Sequence, residues 1–318
     1  MFRIVQSFKV YGLNTAMKMK NRQSVLLCLL LAGTYSLPGQ SLLQENKTIT
    51  VQTGFFYTAY NSVFDMDGER KYAPSTRHGG FYAEGAAGIR PRLTALFSVP
   101  LLIHNSVQGD KNVPGNYAND ESVTRPGDIE IGARYGINQS GPFTASFTLF
   151  QSLGTGYRDK GEAGEVLNTG FADFNTRAYF DLLFKLRTTW HVKLQMGLNN
   201  RNKGFSDEFH AGALLHIDVM KNIGLDLFGN GIFPFENTKF EPRIYQLGLY
   251  HNNYGILNAG ATLKWQREKG IGCFGGIAAP IKGQFIYDSP VFRAGVILRF
   301  GQGAEAAPAE EGNGETGK

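Results

Sequence analysis

The stretch VFRAGVILRF, residues 291–300, decides the fold that we predict for this chain. Its alternate residues put five apolar side chains on one face of an extended strand and Arg293 and Arg299 on the other. In water, an apolar strand face needs a second sheet or helices to cover it, and the sequence contains no amphipathic helix pattern. Two-faced strands without helices are typical of a closed barrel with lipid outside and a polar lumen.

The same period-two alternation recurs along the chain, and the connections between the strands are alternately short and long. We count strands at 48–60, 81–89, 93–101, 128–137, 143–153, 174–186, 190–199, 209–219, 223–233, 254–266, 271–282 and 291–300. Outer-membrane barrels have an even strand number, short periplasmic turns and longer external loops. We therefore assign 234–253 to one outer loop, because a strand at 243–250 would give an odd count. The sequence predicts an all-β fold, a transmembrane antiparallel up-and-down β-barrel of about 12 strands, with 14 as the alternative.

The two ends of the chain differ from the barrel in composition. Residues 1–41 are predicted to hold an upstream extension and an N-terminal secretory signal peptide, because Lys18, Lys20 and Arg22 precede the apolar run 25–32. Residues 42–300 form the predicted barrel, and 301–318 form an acidic, Gly- and Ala-rich tail that we expect to be disordered. These features predict export to the cell outer membrane, with outer-membrane lipid and the barrel-assembly machinery as partners.

Composition supports this interpretation and excludes others. The chain has 40 glycines and 13% aromatic residues, both of which membrane barrels use heavily. The formal net charge of +5 depends on the five basic residues of 1–41, so no nucleic-acid partner is predicted. Cys28 lies in the leader and leaves Cys273 alone, which excludes a disulfide framework and a Cys-rich zinc site within one chain.

Four stretches carry a resemblance to a known family: GDIEIGARYGI at 127–137, SLGTGY at 152–157, LNTGFADFNTRAYF at 167–180 and GIAAPIKGQF at 276–285. Over most of 48–300 the chain resembles the bacterial outer-membrane barrels of the MetA pathway of phenol degradation and related transporters. The resemblance implies passive uptake of small, often hydrophobic compounds. Phe300 also resembles the C-terminal aromatic residue that the assembly machinery recognises, although 18 residues follow it here.

Many charged residues are predicted to point into the lumen, and both signs are interleaved. One interpretation is a solute path with walls of mixed sign, and the other is a salt-bridged polar core that closes a narrow barrel. The sequence leaves both open. The residues that we predict to line the path are Glu84, Glu130, Arg134, Arg177, Asp181, Lys193, His210, Asp218, Lys264 and Arg293.

Neither a metal site nor a catalytic site is predicted. His191, His210 and His216 should point inward, but a spacing of six along one strand separates the last two by roughly 20 Å. We therefore predict no metal and no cofactor. A rim hydrolase around Tyr250 and His251 lacks a motif that supplies the serine and the orienting acid together, so no enzyme activity is predicted.

These observations favour an outer-membrane channel or transporter for passive uptake of small hydrophobic or aromatic molecules. The alternatives are a structural or surface-interaction barrel without transport and, third, a barrel hydrolase that modifies lipids. A small-molecule solute is thus the remaining predicted partner.

Overall fold

The computed structural model describes residues 43–65, 67–109, 119–138, 141–158, 167–172, 174–202, 206–235, 255–267 and 270–301. Within these ranges the chain forms fourteen strands, all in one antiparallel sheet. They are β1 (Thr48–Phe64), β2 (Arg70–Arg90), β3 (Leu93–Val107), β4 (Glu121–Arg125), β5 (Glu130–Asn138), β6 (Phe143–Ser152), β7 (Thr176–Arg187), β8 (Trp190–Asn200), β9 (Glu208–Met220), β10 (Ile223–Pro234), β11 (Gly255–Gln266), β12 (Gly270–Gln284), β13 (Ile286–Tyr287) and β14 (Val291–Gly301).

The sheet closes on itself through its first and last strands. β1 pairs with β2 on one side and with β14 on the other, from Thr48 opposite Gly301 to Tyr57 opposite Phe292. Short β4 and β13 pair only with β3 and β1, so within the described ranges twelve strands form the wall. Closure gives each wall strand a hydrogen-bonded neighbour on both sides, which a strand in lipid requires. The predicted fold and strand number are confirmed.

The two ends of the barrel differ. The short turns Pro91-Arg92, Thr188-Thr189 and Lys221-Asn222 lie at the same end as Thr48 and Gly301. In outer-membrane barrels this arrangement marks the periplasmic end, and the longer connections mark the outer end. The predicted signal peptide, the residues after 301 and most of the predicted outer loop at 234–253 lie outside the described residues.

The outer face of the wall is apolar, as the alternation predicts. Phe55, Phe147 and Phe292 are 46%, 44% and 50% exposed, whereas the alternate residues Thr50 and Thr58 are buried on the inner face. Exposed large apolar side chains around a closed wall give lipid a continuous surface. Among the described residues, no helix is long and apolar enough to cross a membrane.

The wall has an uneven height. β2 has 21 residues whereas β5 has 9, so at ~3.4 Å per residue their lengths differ by roughly 40 Å. The prediction that 61–79 is a polar connection is wrong, because these residues extend the β1–β2 hairpin as far as Phe64 opposite Arg70. This part of the hairpin rises beyond the apolar band, and its apolar residues Val63, Phe64 and Ala73 are buried.

A tight turn closes this tall hairpin. The carboxylate of Asp65 accepts hydrogen bonds from the backbone N–H groups of Asp67 (3.0 Å) and Glu69 (2.9 Å), and Lys71 lies 3.4 Å away. Desolvation acts to raise the pKa of Asp65, but the backbone N–H groups and the Lys71 ammonium hold that pKa below its ordinary value. Gly68 takes the left-handed conformation (φ 78°) that the turn needs.

Candidate functional site: the inner wall of the barrel

The buried carboxylate of Asp181 on β7 joins three neighbouring strands on the inner wall. The Lys193 Nζ atom from β8 lies 3.1 Å from Asp181 Oδ1, and the Arg134 Nε atom from β5 lies 3.9 Å from Asp181 Oδ2. Thr148 and Gln195 also donate hydrogen bonds to it, at 3.1 and 2.5 Å. Asp181 is 0% exposed, so the cations and hydroxyl that surround it replace the water that a buried carboxylate loses.

A second carboxylate, Glu208 at the start of β9, organises the outer end of the wall. It accepts hydrogen bonds from Arg201 and Asn199, both at 2.8 Å, and lies 2.9 Å from the Nε2 atom of His210. The other ring nitrogen of His210 is 3.0 Å from the Tyr179 hydroxyl on β7. His210 therefore points inward as predicted, but its ring is part of a hydrogen-bonded network with Tyr179 and Glu208.

The remaining predicted acids also face cations. Glu130 on β5 forms an ion pair with Arg177 on β7, and the Arg177 guanidinium lies 5.6 Å from the centre of the Phe150 ring. The charges that act on Glu84 come from Arg293, which attracts it, and from Glu130. Opposite charges thus also meet across an intervening strand of the wall.

Near the periplasmic end, His216 on β9 lies between two carboxylates. Its Nδ1 atom is 2.6 Å from Asp226 and its Nε2 atom is 3.1 Å from Asp218. Lys264 on β11 forms an ion pair with Asp226, and His191 on β8 is the cross-strand neighbour of His216. Lys264 and Asp218, both predicted to line the lumen, therefore meet in one cluster.

All ten predicted residues lie on wall strands, and the structure arranges most of them in pairs of opposite sign. That a solute passes along them remains a prediction. From the sequence, the charges either line a path or close the barrel. The structure shows that most of them are balanced by an opposite charge within the wall itself.

A second inner-wall feature is a set of aromatic side chains that lie opposite glycines on the neighbouring strand. An added Cβ at Gly132 would lie 2.6 Å from Cδ1 of Phe150, and one at Gly260 would lie 2.5 Å from Cζ of Phe228. Each ring therefore lies flat along the wall, over the space that the glycine leaves. The pairs are Phe56 and Gly80, Phe150 and Gly132, Tyr179 and Gly197, Phe228 and Gly260, and Phe274 and Gly295.

The outer half of the lumen also holds an apolar cluster. Tyr60 on β1 stacks on Tyr287 of β13, with ring centroids 5.8 Å apart. Phe285 and Ile286 fold against this pair and are 4% and 2% exposed. The buried members of the cluster are Tyr60, Val63, Phe64, Ala73, Ile256, Phe285, Ile286 and Tyr287.

Residues 167–172, which we call the inner segment, are folded inside the outer end of the barrel. Leu167, Asn168 and Thr169 are 4%, 1% and 0% exposed. The side-chain amide of Asn105 on β3 donates a 2.5 Å hydrogen bond to the Asn168 carbonyl, and Arg201 lies 4.1 Å above the Phe171 ring. The inner segment thus connects the inner face of β3 with the end of β8, four strands further around the wall.

The contact with β3 continues through three buried side chains. Asn105 Oδ1 accepts a hydrogen bond from His78 Nδ1 at 2.7 Å, which leaves His78 Nε2 to accept from the Tyr60 hydroxyl at 3.0 Å. The chain of contacts therefore runs from the inner segment across β3, β2 and β1 to the apolar cluster.

Asp128 anchors the other end of the inner segment. Its carboxylate accepts backbone N–H groups from Gly156 (2.6 Å), Phe171 (2.6 Å) and Ala172 (3.2 Å). A Cβ at Gly156 or Gly170 would lie within 3 Å of this carboxylate, so both positions need glycine. Asp128, predicted as the first residue of a strand, instead precedes β5 because it binds this loop.

Sequence reasoning missed Glu208 and the inner aromatic residues. Glu208 was placed next to a polar turn, one residue before the predicted strand. Phe150, Phe228 and Phe274 are large apolar residues of the kind that face lipid, and only the alternation along each strand assigns them to the inner face. A glycine directly opposite on the neighbouring strand is the signal that could have identified them.

The closed wall, its apolar outer face and its charged inner face define a transmembrane β-barrel of the outer membrane. Residues 44–266 match the model of the family described as "Putative MetA-pathway of phenol degradation", and the chain belongs to this family. The resemblance stated from the sequence is therefore confirmed. No curated protein matches the chain.

Solved structures of outer-membrane proteins align with the chain at low sequence identity. An outer membrane channel from Pseudomonas putida F1 aligns with a TM-score of 0.63 and 12% identity, over 83% of this chain and 100% of that chain. The NanC porin aligns at 0.48 and 7% identity (78% and 98% covered), and the CymD monoaromatic hydrocarbon channel at 0.43 and 7% (81% and 90%).

Proposed function

We propose that this protein is a channel for passive uptake of small hydrophobic or aromatic molecules across the outer membrane. The observation that carries the proposal is the set of aromatic rings that lie flat on the inner wall over glycines. Rings in this position present apolar surface to the lumen without filling it. The charges beside them are paired across strands, so they add little attraction for free ions.

Phenol and related small aromatic compounds are the solutes that we propose. The family description supports this class, and so does the wall chemistry, because Arg177 above Phe150 shows that ring faces and cations already pair there. The carboxylates and histidines of the wall are proposed to border the path and to take no catalytic part. The alternative hydrolase site around Tyr250 and His251 lies outside the described residues.

The test is uptake of phenol by vesicles whose outer leaflet is lipopolysaccharide, a leaflet that slows apolar solutes. Vesicles with the barrel should fill faster than empty ones. Gly132→Phe should slow uptake, because the new ring displaces Phe150 into the lumen. Gly275→Phe is the matched control: an added Cβ at Gly275 meets nothing within 4 Å, and this glycine is exposed on the outer face.

A structural barrel without transport is the second candidate, and the inner segment favours it. The segment occupies part of the outer end of the lumen, and its contacts with Asn105, Asp128 and Arg201 hold it there. No phenol uptake above empty vesicles, together with no conductance in planar bilayers, would exclude the channel and favour this candidate.

A further inference from the structure

Three side chains on β8 and β9 converge near the periplasmic end of the lumen. The strand register places His191 opposite His216, with ring centroids 5.9 Å apart, and Asp218 follows two residues later on the same inner face. One ligand atom from each of the three lies within 4.8 Å of the others. Two imidazoles and one carboxylate are a ligand set that late first-row transition metals accept.

The buried imidazole of His191 has an unmet hydrogen-bonding need. The residue is 5% exposed, and its Nδ1 atom has no hydrogen-bond partner among the described residues. Buried polar atoms are nearly always partnered, so an unpartnered ring nitrogen beside two further metal-ligating groups indicates a ligand.

The second imidazole is already oriented as a metal ligand would be. Asp226 lies 2.6 Å from Nδ1 of His216 and Asp218 lies 3.1 Å from Nε2. A metal ion would displace the proton from Nε2, and Asp226 would hold the remaining proton on Nδ1. A carboxylate behind a ligating histidine fixes its tautomer and ring orientation and raises its basicity. Lys264 in turn holds Asp226 by an ion pair.

We propose that His191, His216 and Asp218 bind one divalent transition-metal cation, with Zn²⁺ as the best-matched ion. Zinc takes ligands at about 2.0–2.2 Å, so its three donors lie closer together than 4.8 Å and small side-chain rotations complete the site. We expect a water molecule to fill the fourth position. Lys185, the neighbour of His191 on β7, opposes the cation, so we expect micromolar rather than nanomolar affinity.

The experiment is a Zn²⁺ titration by calorimetry of the folded barrel, purified without a polyhistidine tag. The wild-type protein should bind one ion, and His191→Gln and Asp218→Asn should each weaken binding at least tenfold. His104→Gln removes an exposed histidine outside the cluster and should leave binding unchanged. No binding by wild type at about 100 µM Zn²⁺, which is well above the expected range, or equal binding by His191→Gln, would overturn the proposal.

A second measurement keeps the test valid if a variant fails to fold. Zn²⁺ added to the wild-type barrel should shift the side-chain NMR resonances of two of its six histidines. Shifts in none, or in all, would show that the ion binds elsewhere or without specificity.

Discussion

The buried Asp181 carboxylate shows what a single residue contributes to this barrel. It is fully buried, and two cations from other strands depend on it for their counter-charge. The period-two pattern places Asp181, Lys193 and Arg134 on the inner face, but only the strand register shows that they meet.

Asp181→Asn should lower the free energy of unfolding by about 3–5 kcal/mol, because Lys193 then stays buried without its counter-charge. Denaturant unfolding of the barrel in lipid vesicles, followed by tryptophan fluorescence, measures the change. Asp67→Asn at the hairpin tip is the control and should have little effect. A loss below about 1 kcal/mol would show that water or other groups replace the carboxylate.

The glycine beneath an inner ring gives a second prediction at this scale. Gly260→Ala should destabilise the barrel by about 1–3 kcal/mol, because the added methyl group overlaps the Phe228 ring and the backbone carbonyl of Ile277. The same unfolding assay tests it, with Gly275→Ala as the control in open space. Adding Phe228→Ala to Gly260→Ala should recover part of the loss, and no recovery would exclude the ring as the obstacle.

At the scale of elements, the inner segment and Asp128 connect three of the four motifs that carried the family resemblance. Asp128, in the first motif, binds the backbone N–H groups of Gly156 in the second and Phe171 in the third. The motifs are far apart in sequence, so their contact could not be read from spacing. Their glycines mark where the backbone approaches the carboxylate.

Asp128→Ala should release the inner segment and raise single-channel conductance severalfold, because three backbone hydrogen bonds to a carboxylate are lost. Planar-bilayer recording measures the change. Asp120→Ala, which removes an exposed carboxylate that accepts the Gly109 N–H, is the matched control. Unchanged conductance in Asp128→Ala would show that the segment does not limit the path.

At the scale of the whole molecule, the closing seam sets the limits of the barrel. The pairing of β1 with β14 ends at Thr48 opposite Gly301, which supports a barrel boundary close to the proposed residue 300. We propose that 302–318 add nothing to closure and that Phe300, exposed on the outer face, serves the assembly machinery.

A chain that ends at Gly301 should therefore assemble and unfold like the full-length protein. A chain that ends at Leu298 should assemble poorly, because it loses Phe300 and the last rungs of the seam. The folded fraction, measured by heat-dependent gel migration after outer-membrane insertion, distinguishes the two. Equal assembly of both chains would contradict the assignment of Phe300.

The sequence predicted the closed wall, its twelve strands and the two faces, because lipid forces a strict apolar alternation on every spanning segment. It failed above the apolar band, where the outer halves of β1 and β2 lose the regular apolar alternation. It also failed wherever register decides contact: His191 and His216 are 25 positions apart in sequence and adjacent in the wall.

The uneven height of the wall has a consequence for how the molecule sits among its neighbours. Because β2 is more than twice as long as β5, the wall is high on the β2 side of the outer opening and low on the β5 side. The two sides of the barrel therefore present different surfaces to neighbouring molecules in the membrane plane. A lipopolysaccharide molecule beside β2 meets backbone far above the bilayer, whereas one beside β5 meets a loop, so rotation about the membrane normal changes what each neighbour contacts.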